Sequence, residues 1–254
     1  MIDVNVYLSR WPFRRVRGDT PAELVALLRK HGVTQAWAGS FDGLLHKDIS
    51  AVNVRLAEDC ALAGQDLLVP FGSLNPMLPD WQEDLRRIHE VHRMPGIRLH
   101  PNYHGYRLQD PVAAEILGNA AKRRLIVQIA LAMEDERTQH PLIRVPPVDP
   151  APLAAIVKDL PQLKLMLLNA GRAANPPGVY FDFAMQESPY AVARLVKAAG
   201  ERRVVFGSFA PLFYFEAARL KLKEAGLSPD LERSITGGNA SELYRGALAR
   251  NADA

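Results

Sequence analysis

Six polar residues, Asn5, Tyr7, Arg98, His100, Gln128 and Asn169, stand within or just beyond short apolar runs, and together their types could hold and protonate a small ligand. Arg98 can grip a carboxylate through two parallel N–H donors. His100 is the side chain whose ordinary pKa, about 6.5, lies nearest neutrality, which suits it to giving or taking a proton. The amides of Asn5, Gln128 and Asn169 can fix a ligand's orientation, and Arg98 with Asn5 or Asn169 can stabilise an oxyanion. Tyr103, His104 and Arg172 follow the same runs as rim candidates. Such a set points to a small anionic or carbonyl-bearing ligand. Each residue also has a plainer role: His100 before Pro101 as a core histidine, Arg98 as the partner of a buried acid, Tyr7 as a volume filler. Their common placement after strands favours a ligand site.

The elements that must position them alternate. Eight short β-branched or apolar runs, residues 2–7, 33–38, 67–73, 96–100, 125–130, 163–168, 178–182 and 203–207, read as strands. Most are followed by an amphipathic pattern such as Pro21 to His31 or Ser188 to Ala199. This predicts an α/β chain folded as one (β/α)8 TIM barrel over residues 1–254, with its chemistry on the loops at the carboxyl ends of the strands. No G-x-G-x-x-G or Walker-type loop is present, which argues against a nucleotide-binding open sheet. Gly237-Gly238-Asn239 reads as a turn with Asn239 as the N-cap of the last helix.

Nearly half of the 254 residues are apolar, enough for one large core. The net charge is only +3 and the basic residues are interspersed with acids, so no nucleic-acid partner is expected. Arg10-Trp11-Pro12-Phe13-Arg14-Arg15-Val16-Arg17 is the exception, and reads as a surface or anion-gripping loop. The one cysteine, Cys60, falls in a helical pattern and is expected to be a buried small apolar residue. No apolar run approaches the roughly 18 residues of a membrane span, and no leader pattern opens the chain, so a soluble cytoplasmic protein is expected. The segment from Met133 to Val148 is long enough for a lid or an oligomer contact, and homo-oligomerisation stays open. Within it Glu134 and Glu136 read as solvated acids paired with nearby charges, while His140 stays open as a site residue.

Four segments carry a family resemblance: Asp3-Val4-Asn5-Val6-Tyr7, Gly96-Ile97-Arg98-Leu99-His100-Pro101, Phe206-Gly207-Ser208-Phe209-Ala210-Pro211 and Gly237-Gly238-Asn239-Ala240. In type and order they resemble the amidohydrolase-related TIM-barrel family, which includes metal-dependent hydrolases and decarboxylases. The resemblance implies a histidine pair on strand one, a further histidine after strand five or six, and an aspartate after strand eight. This chain has Asn5 and Tyr7 for the pair, Ala130 and Asn169 at the later histidine positions, and Phe209 for the aspartate. Neutral amides and an un-ionised phenol are poor metal ligands, so no metal or other cofactor is expected. Three readings follow: a hydrolase acting on a small carboxylated or ring-containing substrate without the family's metal, a non-catalytic relative that binds a small ligand or a protein, and a zinc hydrolase or decarboxylase with shifted ligands such as Asp3 and His100.

Overall fold

The structure is a computed structural model and describes residues 1–171 and 176–248. Its strands are β1 (Ile2–Leu8), β2 (Gln35–Ser40), β3 (Leu68–Pro70), β4 (Gly72–Ser73), β5 (Gly96–Leu99), β6 (Ile126–Ala130), β7 (Lys164–Leu168) and β8 (Tyr180–Phe181). All pair in parallel, in the orders β1-β2-β3 and β4-β5-β6-β7-β8. The expected run 67–73 is split after Pro70, which has no N–H for the ladder. Phe71 N nevertheless donates to Ala38 O (2.8 Å), so the two halves continue one stave of the barrel.

The run 203–207 does not form a ladder strand. Phe206 N donates sideways to Ile235 O (3.0 Å), and Phe209 takes a positive φ of 61°, so regular pairing cannot propagate. Single bonds close the barrel instead. Val205 N reaches Phe181 O (2.9 Å), Val4 N reaches Phe206 O (2.9 Å), Phe209 N reaches Asn5 O (2.8 Å) and Tyr7 N reaches Ala210 O (2.9 Å). The barrel expected from the alternation of strands and helices is therefore complete, with residues 204–210 as its last stave.

The helices are α1 (Pro21–Lys30), α2 (Ile49–Asp59), α3 (Trp81–Arg86), α4 (Pro101–His104), α5 (Pro111–Lys122), α6 (Leu153–Asp159), α7 (Ala191–Ala199), α8 (Phe215–Glu224), α9 (Pro229–Arg233) and α10 (Asn239–Leu248). Local chemistry starts several of them. Thr20 caps α1 by accepting from Glu23 N (3.3 Å) while its hydroxyl donates back to the Glu23 carboxylate (2.7 Å), with Pro21 in the first turn. Asp48 caps α2 at Ala51 N (2.9 Å). Asn239 is not the expected cap. Residues 234–238 run on helically into α10, and the Asn239 amide donates to Glu201 O and Val204 O (both 2.8 Å), tying α10 beneath the last stave. Ala240, Leu243 and Ala247 of α10 then close the barrel floor against Val4, Trp37, Phe71, Ile126 and Met166. Cys60 is buried, as its helical setting implies.

β1 carries the irregularity on which the interior turns. Its register against β2 shifts between Asp3 and Val6, the mark of a β-bulge. Val4 joins the floor cluster, whereas Asn5 and Tyr7 above it send their polar atoms to the carboxyl end of the barrel. The Val4 and Val6 carbonyls are taken up by Arg98 of β5, which is fully buried. Arg98 Nη1 donates to Val6 O (2.8 Å), Nη2 to Val4 O (3.2 Å) and Trp37 O (2.9 Å), and Nε to Gln128 Oε1 (2.9 Å). Gln128 Nε2 in turn donates to Val4 O (2.8 Å). Gly39 makes room, since a Cβ there would lie 2.7 Å from Arg98 Nη1.

Four internal acceptors bond to this one side chain, and of these Val4 O also has a second side-chain donor in Gln128 Nε2. Replacing Arg98 by Met is expected to lower unfolding stability in urea by at least about 3 kcal/mol, because each buried acceptor left unpaired costs about 1–3 kcal/mol. An unchanged urea midpoint would show that the carbonyls find other donors.

Candidate active site

At the carboxyl end of the barrel the sequence-nominated residues converge, and the described ones nearest the axis are sealed. Asn5, Arg98, His100 and Gln128 are fully buried, and Tyr7 and Asn169 are each only 1% exposed. They form two adjoining groups above the Arg98 guanidinium.

The first group is amide and carboxylate. Asn5 Nδ2 donates to Asn169 Oδ1 (2.8 Å) and Asp182 Oδ2 (2.6 Å), Asn169 N donates to Asp182 Oδ1 (2.8 Å), and Asn169 Nδ2 donates to Ala132 O (2.8 Å). Asn169 adopts a positive φ of 56°, which asparagine tolerates better than most residues. Alongside, Asp3 Oδ1 accepts from Asn5 N and Ser208 N (both 3.0 Å). A Cβ at Gly207 would stand 2.6 Å from Asp182 Oδ2, so the last stave can pass only as glycine at that point. Burial pushes the Asp3 carboxyl up to about 7, against the bonds from Ser208 and Asn5, and pushes Asp182 up to about 6, against those from Asn5 and Asn169.

The second group is aromatic and imidazole. Tyr7 Oη and His100 Nε2 lie 3.0 Å apart, and the Arg98 Cζ sits 4.4 Å from the centroid of the Tyr7 ring. Burial, with His104 and Arg98 nearby, holds His100 well below the usual imidazole range. Burial pushes the Tyr7 hydroxyl up to about 12 despite Arg98. Both partners are therefore neutral near pH 7. Among the described residues His100 Nδ1 has no hydrogen-bond partner. Above them lies an aromatic cap: Phe41 stacks on Tyr7 (4.6 Å between centroids), Phe209 meets it edge-on (5.6 Å), and Trp11 packs on Phe41 (5.2 Å). Phe209 thus fills the space that the strand-eight position commands.

The remaining nominated residues divide. His104 donates from Nε2 to Gly43 O (2.9 Å), its ring 6.0 Å from that of His100, so it braces the site from the side. Tyr103 packs on the cap and also lines a cavity of about 210 Å³ at the barrel mouth, with Phe13, Arg14, Glu134, Gln139 and His140. Arg172 lies outside the described residues. The Arg98 guanidinium, read from sequence as a carboxylate clamp, is engaged by internal acceptors and faces no open space.

Two contributors escaped the sequence reading. Asp182 closes the run 178–182, and the same strand-end rule that picked Asn169 would have picked it. Glu134 reads from sequence as a solvated acid paired locally, but it is buried and forms an ion pair with Arg14 of the arginine-rich loop. Nothing in sequence spacing links two loops so far apart. Its neighbour Asp135 does pair locally, with Arg137.

The comparisons agree with this architecture. Residues 3–246 match the sequence profile of the Amidohydrolase family. The chain therefore belongs to the amidohydrolase family, and its fold is the TIM barrel of that family's solved structures. The 5-carboxyvanillate decarboxylase of Sphingomonas paucimobilis superposes with a TM-score of 0.75 at 14% identity, over 96% of this chain and 98% of that one. A dihydroxybenzoic acid decarboxylase from a Polaromonas species, solved with bound manganese and the inhibitor 2-nitroresorcinol, gives 0.73 at 12% identity, over 98% and 97%. The 4-oxalomesaconate hydratase of Rhodopseudomonas palustris gives 0.71 at 14% identity, over 100% and 99%. A sequence comparison with curated proteins gave no match.

The donor set in this chain does not fit such a metal. The strand-one positions offer an amide whose nitrogen donates to Asp182 and a phenol held on His100. Among the described residues no three His, Cys, Asp or Glu side chains converge on one point. Ala130 and Phe209, both fully buried, supply no ligand at the positions the family resemblance marks.

The buried carboxylates make a pH prediction. Their folded-state values, about 7 for Asp3 and about 6 for Asp182, lie above the ordinary carboxyl value of the unfolded chain. Their contribution to stability is therefore full below about pH 4 and is lost as the pH rises to about 7. Asp3→Asn keeps an oxygen for the two N–H donors but cannot ionise. Thermal melts across this window should show a shallower loss of stability in Asp3→Asn than in the parent, and superimposable slopes would disprove the assignment.

Proposed function

We propose that this protein is an amidohydrolase-family enzyme that acts on a small carboxylated or ring-bearing substrate with its own acid–base groups rather than a bound metal. The observation that carries this reading is the Tyr7–His100 hydrogen bond, which joins two neutral groups at the strand ends where barrel enzymes place their chemistry. Neutral His100 can take a proton from an attacking water. The Tyr7 hydroxyl, kept un-ionised, can donate to an oxygen that gains charge.

The mouth cavity supplies the entry. Its Arg14 is half exposed and paired with Glu134, so a substrate carboxylate can replace Glu134 on the guanidinium. The related decarboxylases and hydratase are named for carboxylated substrates, which agrees with a cation at that position. Because Tyr7 and His100 are buried beneath Phe41 and Phe209, turnover requires the aromatic cap to swing aside, and substrate binding at the mouth provides the drive. Arg98 acts from beneath as a positioning residue, holding the Tyr7 ring under its charge.

A second reading has its own support. The amide–carboxylate group satisfies most of its hydrogen bonds internally and the cap is closed, as a barrel retained for binding alone would be.

A panel of lactones, amides and aromatic carboxylates, assayed after exhaustive chelation, separates the two. The enzyme reading expects turnover that survives chelation and falls by about 100-fold or more in His100→Ala. Turnover that returns only on adding zinc or manganese would sink the metal-free mechanism. Ligand-induced thermal stabilisation with no product from any panel member would support the binding reading instead.

A further inference from the structure

The arginine-rich run after β1 forms one wall of a second, larger groove. This cavity, about 620 Å³, lies between residues 14–18, helix α1 and the segment Pro211 to Glu216. Its volume falls in the range of small-molecule sites. The wall opposite the arginines is apolar and aromatic, with Leu212, Phe213 and Tyr214. Phe213 packs on Phe209 (5.3 Å between centroids), which sets the groove directly behind the aromatic cap.

Its charges are unequal. Arg14, Arg15, Arg17 and Lys30 line it, against Glu23 and Glu216. Both acids are engaged, Glu23 by the Thr20 hydroxyl (2.7 Å) and Glu216 by His31 Nε2 (3.0 Å). Arg14 is held by Glu134, and Arg15 by Asp19 through two N–H donors (2.7 and 2.9 Å). Arg17 and Lys30 are exposed, and among the described residues neither makes a side-chain hydrogen bond or ion pair; Lys30 feels Glu216 only through space. Two unpaired cations beside an aromatic wall form the complement of a flat anion.

We propose that this groove binds a small organic anion, a carboxylate or phosphate carried on a planar ring, with the anionic group held by Arg17 and Lys30 and the ring against Phe213 and Tyr214. The site is distinct from the Tyr7–His100 centre, and the proposal does not depend on turnover there.

Calorimetric titration of the full chain at low salt with inorganic phosphate, benzoate and phenyl phosphate tests it. Saturable one-to-one binding is expected for the ring-bearing probes, and whichever of benzoate and phenyl phosphate binds more tightly identifies the anionic group. The double variant Arg17→Glu/Lys30→Glu should weaken binding by about tenfold or more, since two charge-assisted contacts are replaced by repulsion. The neutral pair Arg17→Gln/Lys30→Gln should weaken it less, and either serves if the other misfolds. Tyr214→Ala should weaken the ring-bearing probes while leaving inorganic phosphate unaffected. No saturable binding of any probe at millimolar concentration would overturn the proposal. So would loss of binding in His140→Ala with the Arg17/Lys30 variants unaffected, which would place the probe at the barrel mouth.

Discussion

The Arg98 guanidinium is the constraint on which the rest of the barrel interior depends. A bulge in the first strand leaves two carbonyls, those of Val4 and Val6, to be satisfied inside the barrel, and a single cation from the fifth strand pairs both together with Trp37 O and Gln128. Burying a guanidinium is costly, and burial does draw its pKa down. The cost is offset by four hydrogen bonds, by the Tyr7 ring and by the two buried carboxyls that share the space above. Gly39 is the structural counterpart, since any side chain there would occupy the guanidinium's place.

The character of the site follows from that cation. Its charge favours ionised Asp182 and disfavours a charged His100, while desolvation pushes both groups toward neutrality. The outcome is an imidazole–phenol pair without net charge beside a carboxylate–amide cluster that is largely paired within itself. The family resemblance implies histidine and aspartate donors at the strand ends. Here the corresponding positions hold hydrogen-bonding or aromatic groups, and Phe209 and Phe41 occupy the space over the strand ends.

Much of this was legible beforehand. The alternation of short apolar runs with amphipathic ones specified the barrel, and the position of polar residues after those runs brought Asn5, Tyr7, His100 and Asn169 to one end, as the structure has them. The same reasoning went astray where a side chain's partner lies far away in sequence. Glu134 has its cation in Arg14, across the barrel mouth. Asn239 looked like a cap but donates to the Glu201 and Val204 carbonyls. The run 203–207 had strand composition, yet Phe206 N finds its acceptor at Ile235 and the pairing becomes a series of single bonds.

Residue types and their period therefore determined the class of fold and the end of the barrel that carries the polar set. Those features are local, because strand period and loop chemistry are properties of neighbouring residues. Only the tertiary structure decided that Arg98 is a bridge inside the wall instead of a hand held out to substrate, that Tyr7 and His100 are hydrogen-bonded beneath a closed cap, and that Arg17 and Lys30 line a groove without a side-chain partner among the described residues. Each of these turns on which acceptor lies within about 3 Å of a donor. That distance is set by the closing of the barrel, which joins residues that sequence order keeps apart.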